Sequence, residues 1–150
     1  MTSLGFPLIH NLSIQRQGIG ELLDLIEPEE LYLEKGLDLL VSLQVRVLFH
    51  LRVEDDLLVA SLDAEARRRA DIASIMNQWV YPIRSCAELA QAFFEHWLGL
   101  EAPIGDLQGD WVSLKGLLVL RMETSERLLF PAYQALHNER RKKSRPAAVC

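Results

Sequence analysis

The chain has 150 residues, 49% hydrophobic and 25% charged, the size and balance of one globular domain with a sizeable core. No apolar run approaches the ~18 residues of a membrane span, and "MTSLGFPLIHNL" lacks the basic n-region of an export signal, so a cytoplasmic protein with reduced cysteines is expected. Net charge is −5, of which "NERRKKSR" (Asn138 to Arg145) contributes +4, leaving an acidic body of −9 that argues against nucleic-acid binding.

The apolar pattern keeps a helical period nearly throughout. A first helix is predicted over Leu12 to Ile26, with Leu12, Ile19, Leu23 and Ile26 on one face. Pro28 closes it or starts the next element. A second helix is predicted from Glu29 or Glu30 to Leu62, with a break near Gly36 and with Leu40, Leu43, Val47 and Leu57 inward. A third runs from Ala64 to Leu98, its inner face Ala73, Met76, Val80, Ile83, Ala87, Ala90, Phe94 and Trp97. Pro82 removes a backbone donor and clashes with the preceding turn, so a kink or break is expected between Trp79 and Ser85. "GLEAPIGDLQGD" (Gly99 to Asp110) is the one true loop, and Asp110 is the expected N-cap of a fourth helix. That helix reaches Arg141, with Leu114, Leu117, Leu118 and Leu128 inside and a bend at Pro131. Residues 1–141 thus predict an all-α, up-and-down four-helix bundle. Residues 142–150 predict a solvated, disordered basic tail.

Three of these helices interrupt their apolar face with polar residues. His50 and Glu54, in "FHLRVEDDLLVASL", continue the row Leu43, Val47, Leu57. Arg16 falls in the row Leu12, Ile19, Leu23. Arg121 and Ser125 fall in the row Leu114, Leu118, Leu128. The third helix supplies none. An unpaired buried charge costs several kcal/mol, so these residues should meet. The expected pairing is Glu54 with Arg121, Arg16 or both, since guanidinium binds carboxylate through two parallel hydrogen bonds. His50 should donate to Glu54 or to a backbone carbonyl.

Other chemistry is sparse. No glycine-rich phosphate loop is present, and neither Cys86 nor Cys150 has a histidine near in sequence. Glu29-Glu30 and Asp55-Asp56 read as solvated helix faces. Trp79, Trp97 and Trp111 read as core or boundary packing. No catalytic residue is expected.

"HLRVEDDLLVA" (His50 to Ala60) and "RMETSERLLFP" (Arg121 to Pro131) resemble segments of the hemerythrin-like, or HHE cation-binding, family. That family builds a carboxylate-bridged di-iron centre inside a four-helix bundle. The first segment keeps His50, Glu54 and Asp55, with Val59-Ala60 where aromatic-Pro is usual. The second keeps Glu126 and the Leu-Phe-Pro ending, with Arg121 and Ser125 where the family has histidine and glutamate. In "RQGIGELL", Arg16 stands at the place of the first-helix histidine. A di-iron site needs about five histidines and two carboxylates, and only His50 and Glu54 remain. Arginine offers no lone pair and brings a fixed positive charge. The resemblance therefore implies a bundle with a vacated metal site, no cofactor, and a non-catalytic regulatory or protein-binding role, as monomer or homodimer.

Two other readings stand beside this one. One is non-haem iron binding, or O2 or NO binding, through His50 and Glu54 joined by His10, His96 or His137. The other is an anti-sigma regulator similar in layout to the regulator of sigma D family.

Overall fold

The computed structural model describes residues 5–99 and 103–144. The expectation for residues 145–150 of the tail lies outside them. The described residues form an all-α four-helix bundle. Helix α1 spans Gly5–Leu25. A short 3-10 turn, Pro28–Glu30, leads to α2, residues 34–66. Helix α3 covers residues 70–98 and α4 residues 107–144. Short connections make consecutive helices neighbours, and α4 closes the ring against α1.

The second helix starts later than its sequence suggests. Proline at the first position of the 3-10 turn fits its fixed φ, and three further residues intervene before Glu34. Gly36 does not break the helix. It lies buried in the first turn of α2, where a Cβ would stand 2.1 Å from the Glu30 carbonyl oxygen. Glycine lets α2 start against the turn that precedes it. The helix then runs past Leu62 to Ala66, so the third begins at Ala70 rather than Ala64.

Pro82 does break α3. Helix Ala70–Ile75 passes into a π turn, Met76–Val80, then a 3-10 turn, Tyr81–Ile83, and resumes at Cys86–Leu98. The Tyr81 N–H reaches back to the Met76 carbonyl, a five-residue step that widens the helix just before the proline. The same arrangement recurs in α4. Its π turn is Ser125–Leu129, and the Phe130 N–H donates to the Ser125 carbonyl just before Pro131. A third π turn, Glu54–Val59, lies in α2 without any proline.

These turns correct the predicted inner faces. Down α2 the buried positions alternate by four and three through Leu40, Leu43, Val47, His50 and Glu54. A regular helix would then bury Leu57. The π turn inserts one residue, so Leu58 is buried and Leu57 is 47% exposed. In α4 the row Leu114, Leu118, Arg121, Ser125 leads likewise to Leu129, while Leu128 is only partly buried.

The fourth helix is capped by Asp106, not Asp110. Asp106 Oδ1 accepts the Gly109 N–H at 3.0 Å. The Asp110 carboxylate instead accepts from the Trp97 indole N–H at 3.0 Å, tying α4 to the end of α3. Trp97 and Trp111 are core residues, whereas Trp79 is 41% exposed.

Two apolar clusters fill the bundle. One gathers Ile19, Leu23, Leu43, Phe94, Trp111 and Leu118 among others. The other gathers Leu12, Leu58, Leu62, Met76, Val80 and Leu129. Between them along α2 and α4 lies the polar layer of His50, Glu54, Arg121 and Ser125.

Candidate functional site: a buried arginine–carboxylate layer

Each half of this layer is a pair one helical turn apart: His50 and Glu54 on α2, Arg121 and Ser125 on α4. The spacing puts both members on one helix face. In each pair the second member opens a π turn.

Glu54 lies at the centre, with no exposed surface. Its Oε1 accepts from Arg121 Nε at 2.8 Å and from the Ser125 hydroxyl at 2.5 Å. Its Oε2 stands 3.2 Å from His50 Nε2. Oε2 makes no other contact with a donor among the described residues, and the imidazole helps to hold the carboxyl in its charged form. On its other side, His50 Nδ1 lies 2.9 Å from Gln15 Oε1, which fixes the ring from α1.

Arg121 is 2% exposed and bridges two carboxylates. While Nε holds Glu54, its terminal nitrogen donates to Asp55 Oδ1 at 2.5 Å. Asp55 was expected in solvent. Two different nitrogens of one guanidinium thus span two consecutive acidic residues of α2. Asp56 does remain exposed.

Arg16 is the expected member that stays outside. Its guanidinium pairs with Glu126 Oε2 at 2.8 Å, and their side chains are 33% and 54% exposed. The arginine stem and its Nε are buried, while a terminal nitrogen reaches Glu126 at the rim. Glu54 is thus paired with Arg121 and not with Arg16. Glu126, the acidic neighbour of Ser125, serves Arg16 as Asp55 serves Arg121.

Burial pushes the Glu54 carboxyl upward, but His50, Arg121 and Ser125 together outweigh it and hold it below the ordinary carboxylate value. Burial likewise opposes the charge on Arg121, and Glu54 and Asp55 overcome it, so the guanidinium keeps its proton more firmly than usual. The third helix also reaches this layer. Cys86 is fully buried, and burial pushes its thiol up to about 11, with the charge of Arg121 pulling the other way. A protonated buried thiol is a poor nucleophile.

A divalent cation does not fit these residues. Glu54 Oε1 is committed to two donors, and the fixed positive charge of Arg121 lies against it. Among the described residues no three His, Cys, Asp or Glu side chains group as a metal site. His96 points its Nε2 at the Ile104 carbonyl in the loop after α3, and His137 stacks on Tyr133 in the same helix.

Sequence reasoning missed Gln15 and Asp55. Gln15 has no apolar-row signature, being one residue off Arg16. It also missed a second ionic cluster where α2 ends, α3 begins and the last turns of α4 pass. There Glu65 accepts from Arg68 at 2.7 Å and from Arg140 at 3.3 Å, while Arg69 binds Asp71 and Glu139. Glu139 and Arg140 belong to the basic stretch that opens the tail, and α4 stays helical to Ser144.

Compared with models of protein families, with curated proteins and with solved structures, the chain matches none. No helix among the described residues is long and apolar enough to cross a membrane.

Proposed function

We propose that this chain is a hemerythrin-like bundle whose core is held by an arginine–carboxylate layer in place of metal ions. On this reading it acts without catalysis, as a regulatory module that binds another protein. The observation that carries the reading is the double occupation of Glu54 Oε1 by Arg121 and Ser125. The resemblance puts those two residues where a metal-binding member would have a histidine and a glutamate. With one Glu54 oxygen committed to two donors and the fixed charge of Arg121 against it, the other oxygen and His50 supply too few ligands for iron, and the buried Cys86 thiol and exposed Asp56 offer no substitute chemistry. What remains for such a bundle is its surface.

The test is the metal content and optical spectrum of protein purified from iron-supplemented cells. Well under one iron per chain, with no oxo-bridged charge-transfer bands, is the expected result. Two irons per chain retained through dialysis would overturn the reading in favour of iron or O2 binding. Capture of a polymerase sigma factor by the metal-free protein would give the regulatory role its partner.

A further inference from the structure

Helix α2 is apolar on two sides. Opposite its buried face, Leu37, Val41, Val45 and Phe49 recur every four residues and are 37%, 49%, 68% and 60% exposed. Four-residue spacing draws a continuous stripe along more than three turns of the helix. A helix with one solvent side has no use for a second apolar stripe, and contiguous exposed apolar surface marks a contact site.

The charges around the stripe identify what covers it. Within the span Glu34 to Arg52, the N-terminal end exposes Glu34 and Asp38 and the C-terminal end exposes Arg46 and Arg52; Arg46 leans toward Gly18 of α1, and the exposed Asp56 lies one turn beyond Arg52. Lys35, the one base at the acidic end, is turned to Glu30. The stripe is therefore acidic at one end and basic at the other, and an antiparallel copy of itself is its electrostatic complement. A two-fold axis passing between Val41 and Val45 sets Val41 against Val45 of the second copy. The same axis sets Leu37 against Phe49 and Glu34 against Arg52. Beside Phe49, a groove of about 320 Å3 between α2 and α3, lined by Leu48, Phe49, Arg52, Ala87 and Gln91, lies open to receive that Leu37. A parallel arrangement would instead stack like charges at both ends.

We infer that the outer face of α2 is a homodimer interface in which two copies of this chain pair antiparallel about that axis. Such a contact is isologous, so each residue pair occurs twice and the assembly closes at two chains. This inference stands apart from the reading of the polar core: an iron-containing protein would leave it intact.

Sedimentation equilibrium over about 1 to 500 µM, a range spanning weak and moderate affinities, tests it with the full chain. A reversible rise to twice the chain mass is expected. Val45→Lys puts an unpaired charge at the centre of the contact and should weaken association by about 100-fold, while the circular dichroism, and the melting curve at concentrations where both proteins are monomeric, stay unchanged. Glu34→Arg and Arg52→Glu, both on exposed positions, should each weaken it. The combined reversal should restore it, because only antiparallel pairing brings residue 34 of one copy to residue 52 of the other. Wild-type protein monomeric across the range would overturn the proposal, as would a dimer indifferent to Val45→Lys. A combined reversal no better than either single change would also overturn it.

Discussion

Two glutamates of α2 are each gripped by arginine, and they differ in where the arginines end. Glu54 is held by Arg121, itself 2% exposed, between two apolar clusters. Glu65 is 6% exposed, but its partners Arg68 and Arg140 are 74% and 54% exposed, so it lies under a thin cover of solvated side chains. Both carboxyls are held below their ordinary value. For Glu65 the leading cause is the hydrogen bond from Arg68. For Glu54 the leading influence is burial, which pushes the other way and is overcome. The same ion pair thus plays two roles. At the rim, water can replace either partner. In the core nothing can: without Arg121, Glu54 is stranded, and without Glu54, Arg121 keeps only the half-exposed Asp55.

The largest expected effect tests this directly. Glu54→Ala should cost about 3–5 kcal/mol in urea unfolding, because the buried Nε of Arg121 loses its acceptor and the guanidinium keeps only the half-exposed Asp55. Combining it with Arg121→Met should recover much of that loss, since an apolar pair needs no desolvation. If Glu54→Ala unfolds like the wild type, or the pair of changes is simply additive, Arg121 does not depend on Glu54.

Acid sharpens the contrast. The Glu54 carboxyl is depressed in the folded state, so its contribution is fully present above its ordinary value of 4.5 and is lost as pH falls through the lower folded value. Unfolding of wild type and Glu54→Gln should therefore differ by a constant amount above about pH 5 and converge below it. Taking the difference removes the acid sensitivity that Glu65, depressed in the same direction, contributes to both. A gap that widens toward acid would reverse the assigned sign.

The smallest effect belongs to the rim. Glu65→Ala should lower the melting temperature far less than Glu54→Ala, and its deficit should shrink in about 0.5 M salt, where charges are screened within a few Å. Exposed Asp56→Ala gives the baseline, within about 0.5 kcal/mol of wild type. A salt-insensitive Glu65 deficit as large as that of Glu54 would show that the two carboxylates are buried alike.

Much of the candidate site was legible from the chain. His50, Glu54, Arg121 and Ser125 interrupt leucine rows, and polar residues inside an apolar face must pair, so their meeting followed from periodicity and the cost of burial. Arg16 satisfied the same pattern and went elsewhere, since a residue at the edge of a stripe can reach water along its own side chain. Asp55 was illegible because it lies one residue off the apolar row and is reached only by a terminal nitrogen of Arg121. Asp106 was passed over as a cap because Gly109 makes the first turn of α4 look like loop.

The sequence by itself determined four helices, the break at Pro82 and a polar layer in a leucine core. These rest on local rules: a side chain's period, a proline's missing donor and the free energy of one buried charge. Only the tertiary structure decided the register beyond Glu54 and Ser125, the sharing of Arg121 between two carboxylates, and the outward turn of Arg16. A helix can widen locally to a five-residue hydrogen bond, a rare step that no residue type along the segment announces. The choice falls to the packing of neighbouring helices around the charged layer, which no single segment contains.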